Sequence, residues 1–134
     1  MVSDSLDANL IVHFILGDVP AQREKVRKVL SSENTIHHLS DLAVSETVYV
    51  LEKIYDQSRT EIRDELSAFF ETYGSVLNYN RTLFDLVLPF YVKYPSTSFN
   101  DACLGFYAEL NSAEPLLTFN KKLSKEHPSA KLLA

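Results

Sequence analysis

The sequence predicts an α/β fold in which a parallel sheet is packed between helices. Short apolar strands alternate with longer amphipathic stretches along the whole chain, and that alternation calls for crossover connections and hence parallel pairing. Only three glycines and five prolines occur in 134 residues, too few for the tight turns of a sandwich or barrel. An apolar fraction of 46% is that of an ordinary globular protein and supplies a real core. Residues 1–134 therefore read as a single domain.

The elements follow in order. Residues 2–6 make a short, rather polar strand. Residues 8–16 make a helix that ends near Gly17. Pro20 suits the first turn of the next helix, about 20–31, with Val26, Val29 and Leu30 on one side. A strand at 35–37 precedes a long helix capped by Ser40 or Asp41 and running to about residue 56. Residues 60–73 form another helix, with Ile62, Leu66, Phe69 and Phe70 at helical spacing and Gly74 at its end. Residues 76–77 are a short strand. Asn80 or Thr82 opens a helix that stops before Pro95. Ser98 caps the next, to about residue 112. Residues 116–118 are the last strand, with a short helix or turn after Asn120.

Charge and cysteine content narrow the function classes. A net charge of −5 repels nucleic acid overall, so nucleic-acid binding requires a local basic patch. The lone Cys103 excludes an internal disulfide and points to a reducing compartment. No apolar run reaches membrane-span length, and the acidic start MVSDSLD is not a secretory signal. The expectation is a soluble cytoplasmic protein with no membrane partner.

Parallel sheets place ligands outside the carboxyl ends of their strands, and Asp7, Asp101 and Asn120 all fall just after a strand or at a helix start. Glu46 shares a helical face with Leu39, Leu42, Ala43, Tyr49 and Val50, where a carboxylate is costly without a partner. Either that face turns partly to solvent, or Glu46 bonds a buried hydroxyl, or it holds a ligand. Asp101 sits beside Leu104, Gly105 and Ala108, and Gly105 leaves room next to the carboxylate. SFND also fits a capping box, with Ser98 as the cap. Asp7 and Asn120 fit plain helix caps equally well. Brought together, three acids would repel unless protons or a divalent cation neutralised them, and carboxylates with an amide oxygen suit Mg²⁺ or Mn²⁺. His37 and His38 point to opposite faces of a strand and lack zinc-spaced partners. His13 and His127 are isolated, and Cys103 reads as a small core residue. There is no Gly-rich phosphate loop and no G-x-S-x-G elbow.

The strings DANLIVHFI at Asp7, SETVYVLEKIY around Glu46, SFNDACL around Asp101 and TFNKKLSK near the end occur in an order and spacing that resemble the PIN-domain ribonucleases, especially the VapC-type toxins of toxin–antitoxin pairs. The resemblance covers nearly the whole chain. It implies a PIN-like three-layer domain with a central four- to five-stranded parallel sheet flanked by helices. It also implies metal-dependent RNA cleavage with Mg²⁺ or Mn²⁺ as cofactor. By position, Asp7, Glu46 and Asp101 match catalytic and metal-binding acids of the family. Asn120 stands where a fourth acid is usual, which implies a weakened metal ligand. Asn9 and Thr118 match supporting polar residues. Lys121, Lys122, Lys125, Arg23 and Arg27 are candidate RNA contacts. The partners implied are RNA, an antitoxin protein and a second copy of the chain in a homodimer. The alternative is a PIN-like module, catalytically weakened or inactive, that serves as a protein- or RNA-binding partner.

Overall fold

The computed structural model describes residues 2–133 and divides the chain into two compact units, one ending at Tyr79 and the other beginning at Asn80. The first unit contains β1 (Val2–Ser5), α1 (Ala8–Leu16), α2 (Pro20–Leu30), β2 (Thr35–His38), α3 (Asp41–Tyr49), α4 (Arg59–Tyr73) and β3 (Leu77–Asn78). Its sheet has the order β1-β2-β3, parallel throughout, with Ser5 level with His38 and His38 level with Asn78. The second unit contains α5 (Thr82–Lys93), α6 (Phe99–Leu110), β4 (Leu116–Thr118), α7 (Lys121–Glu126) and β5 (Ala130–Leu132). There β4 and β5 pair in parallel, with Thr118 level with Leu132. Within each unit the paired strands are parallel and joined by helices, as the alternation of strand and helix signals requires. They pair as three and two, and β5 is a strand that the sequence signals did not reveal.

Local chemistry explains most element ends. Gly17 stops α1 in the left-handed conformation (φ 60°), where its N–H bonds the His13 carbonyl. Pro20 occupies the first turn of α2. Ser58 and Glu61 form a reciprocal capping box at the start of α4. The helix after β2 departs from the sequence expectation: its regular part ends at Tyr49 and its last turn widens into a π-helix over Val50–Ile54. A wider turn breaks the 3.6-residue period, so the face assignments beyond residue 49 drift.

The first unit packs Ile11, Val12, Leu30, Val44, Val48, Leu51, Ile62 and Leu66 into its core, each almost fully buried. His37 is fully buried on β2 with its Nδ1 2.5 Å from the Asp4 carboxylate, whereas His38 is exposed. The second unit is built around Phe84, Val87, Tyr91 and Ala102. His127 completes it, with its ring 4.9 Å from that of Phe90 and 4.3 Å from that of Phe106. Its Nδ1 accepts the Ser129 N–H at 3.1 Å, and burial pushes its pKa down, so the ring is held neutral.

Gly105 is what admits that ring: a Cβ at residue 105 would stand 2.5 Å from His127 Nε2. Gly105→Ala should therefore destabilise the chain by about 1–3 kcal/mol, despite the better helix propensity of alanine. A lower urea midpoint at unchanged slope is expected; an equal or higher midpoint would contradict the packing described.

Candidate functional site

In parallel sheets the carboxyl ends of the strands share one edge, and Asp7 stands just beyond β1 on that edge. It occupies the N-cap position of α1 but makes no capping bond, and its side chain is exposed. The plain-cap reading of Asp7 is therefore not realised. Together with Asn9, His13 and Lys25 it lines a cavity of about 350 Å³. His13 is tied to Asp18 at 3.4 Å.

Glu46 lies on α3, whose N-terminus is capped by Ser40 through the Ala43 N–H (3.1 Å). The core face of α3 is Ala43, Val44, Thr47 and Val48. Leu39 and Ala43 of the face assigned to Glu46 from the sequence are buried, but Leu42 and Tyr49 are 77% and 60% exposed, and Glu46 is exposed with them. Thr47 misled the pattern. It is fully buried, and its hydroxyl donates to the Ala43 carbonyl at 2.8 Å, so a formally polar residue serves the core. Glu46 makes no hydrogen bond or ion pair among the described residues. By contrast Glu52 is largely covered and accepts from Arg59 at 3.2 Å.

In the second unit, Asp101 is half-buried in the first turn of α6, where its N–H bonds Ser98 Oγ at 3.0 Å. The capping box is only half made: no return bond from the Asp101 carboxylate to the Ser98 N–H occurs among the described residues. Instead Asp101 Oδ2 accepts from Asn120 Nδ2 at 3.4 Å. Asn120 follows β4 and caps α7, its Oδ1 accepting the Leu123 N–H at 3.1 Å. Its own N–H donates to Thr118 Oγ1 at 3.0 Å. So Asp101, Thr118 and Asn120 are brought together within this unit. The amide does what a carboxylate could not: one side chain accepts from the helix and also donates to an acid. The room beside Asp101 that Gly105 was read to leave is taken by His127. Cys103 is half-exposed rather than a core residue.

The basic candidates are unequal. Arg27 is bonded twice to Glu24, at 2.6 and 2.8 Å, and Arg23 lies over the Phe14 ring at 5.6 Å. Lys121, Lys122 and Lys125 are exposed and make no ion pair among the described residues. Sequence reasoning missed Lys25; the signal was its place beside Val26, whose burial turns Lys25 to the rim of the Asp7 cavity. The donor set of Asp7, Glu46, Asp101 and Asn120 consists of hard oxygens, the kind that Mg²⁺ and Mn²⁺ take. Asp7 and Glu46 belong to one unit, Asp101 and Asn120 to the other. Among the described residues no group of three or more His, Cys, Asp or Glu side chains is gathered closely enough to hold a metal ion.

The chain is thus an α/β protein with parallel strands and with acids at a strand end and at helix starts. The sequence pattern of the PIN domain family matches residues 5–126, and the chain belongs to that family. The match covers Asp7, Glu46, Asp101 and Asn120. PIN domains are in general nucleases that use divalent metal ions. No curated protein and no solved structure matches the chain significantly. Among the described residues no helix is long and apolar enough to cross a membrane.

Asn120→Ala should cost about 1 kcal/mol through loss of the α7 cap. Asn120→Asp keeps the cap but places a second carboxylate against Asp101. Without metal it should melt below the wild type at neutral pH, and the gap should close as acid protonates one of the pair. Equal melting of Asn120→Asp and wild type at all pH values would show that the amide contact carries no weight.

Proposed function

We propose that this chain is a metal-dependent endoribonuclease, the toxin of a type II toxin–antitoxin pair of the VapC type, acting in the cytoplasm. The observation that carries the reading is that the carboxylates at the three family-matched positions are left uncommitted. Asp7 and Glu46 are exposed without partners among the described residues, and Asp101 meets only the long Asn120 contact. Most other acids with a defined role here are engaged, as in Glu24–Arg27, Glu52–Arg59 and Asp64–Arg63.

In this reading Asp7, Glu46 and Asp101 are the ligands of Mg²⁺ or Mn²⁺, and Asn120 contributes a neutral, weaker donor. A bound ion supplies a water of lowered pKa and charge neutralisation at the phosphate oxygens. The chain's own part is to orient. Thr118 Oγ1 holds the Asn120 backbone, Asn120 Nδ2 holds Asp101, and Asn9 stands two residues beyond Asp7. Lys121, Lys122 and Lys125 supply phosphate contacts that offset the net negative charge. An antitoxin that carries a basic side chain to the acids would inhibit, and the active form would be a homodimer. Asn120 favours a second reading, a PIN-like module with weakened or lost catalysis that binds protein or RNA.

Cleavage of a mixed RNA substrate in Mn²⁺, followed over time, separates the two. Wild type should cleave slowly, Asn120→Asp faster with the largest gain at low Mn²⁺, and Asp101→Asn not at all while melting as wild type does without metal. No cleavage with either residue at 120 would leave the binding module. Retained cleavage with a large loss of stability in Asp101→Asn would make Asp101 a structural cap.

A further inference from the structure

Helix α2 carries Arg23, Lys25, Arg27 and Lys28 within six residues, and the structure sorts them. Arg23 covers Phe14, and Arg27 is held by Glu24. Lys25 makes no ion pair among the described residues and lines the cavity that contains Asp7. We propose that this cavity, between the start of α1 and α2, is the subsite for one nucleotide of single-stranded RNA, with Lys25 on its phosphate.

The wall chemistry fits that occupant. The volume, about 350 Å³, lies in the range of small-ligand sites. Leu10 and Val26 give an apolar surface for the face of a base. The amides of Asn9 and Gln22 each offer a donor and an acceptor to a base edge. Lys25 supplies the one full positive charge on the wall, and a nucleotide carries one phosphate. A metal ion alone would not use the rest of this wall, since Asp7 is the one acid on it. A purely apolar partner would leave both amides unpaired, at a cost. A base can lie against Leu10 and Val26 only when it is unstacked, which selects a single strand over a duplex. The assignment rests on the nuclease reading in one respect: Asp7, at the rim, is where the chemistry would occur.

The test measures binding of a labelled single-stranded RNA by fluorescence anisotropy, in chelator and at low salt so that nothing is cut. Lys25→Gln should weaken binding about tenfold and make the dependence of log affinity on log salt shallower by about one. Gln22→Ala should weaken it without changing that slope. Arg63→Gln removes the same charge on α4, where Arg63 pairs with Asp64, and should leave affinity within about twofold. The same RNA annealed to its complement should bind with no dependence on Lys25. Absent wild-type binding, equal losses in Lys25→Gln and Arg63→Gln, or an equal Lys25 effect on duplex would each overturn the proposal. Cleavage in Mn²⁺ is scored separately. Lys25-dependent binding without any cleavage would fail the nuclease reading alone, and cleavage with Lys25-independent binding would fail the subsite alone.

Discussion

A carboxylate in a folded chain must be solvated, protonated or met by a cation, and the acids of this chain divide along that constraint. Glu24, Glu52 and Asp64 each meet an arginine, with separations of 2.6 to 3.2 Å. Asp4 meets the buried His37. Asp7, Glu46 and Asp101 have no such cation among the described residues. They are held instead by backbone placement: beyond β1, on the solvent face of α3, and in the first turn of α6. No cation in the fold claims their charge, which leaves them available to a ligand. Asn120 fits the same logic from the other side. As a neutral residue it can touch Asp101 without repulsion while its oxygen caps α7.

Much of the fold was legible because single residues punctuate it. Gly17, Pro20, Ser40, Ser98 and Gly74 each mark an element end that the structure reproduces. The apolar spacing of Ile62, Leu66, Phe69 and Phe70 gave the buried face of α4. What was hidden depends on tertiary contacts. Nothing local announces the π-helical turn at Val50–Ile54, which carries Glu52 to Arg59. The strand Ala130–Leu132 is short and polar enough to pass for a tail. Gly105 and His127 lie 22 positions apart, and only the packed ring explains why residue 105 has no side chain.

The candidate site was legible in composition more than in geometry. The acids and Asn120 were visible because strand ends and helix starts are where ligands gather in parallel folds. Their individual states were not. Asp7 was as good a cap as a ligand on sequence grounds, and the missing cap bond removes the first of these. The basic residues were the least legible, because charge runs look alike until a neighbour claims them. Glu24 claims Arg27, Phe14 takes Arg23, and Lys25 remains beside Asp7.

The proposed function has divalent-cation binding by Asp7, Glu46 and Asp101 as its central claim. Thermal melting across a Mn²⁺ titration tests it without requiring a substrate. A ligand that binds only the folded chain stabilises it by RT ln(1 + [L]/Kd), about 2.7 kcal/mol at a hundredfold excess over Kd. The melting temperature of the wild type should rise steadily with Mn²⁺, and the rise should be lost or shifted to much higher Mn²⁺ in Asp7→Asn and in Glu46→Gln. A melting temperature indifferent to Mn²⁺, or an undiminished rise in both variants, would contradict the account.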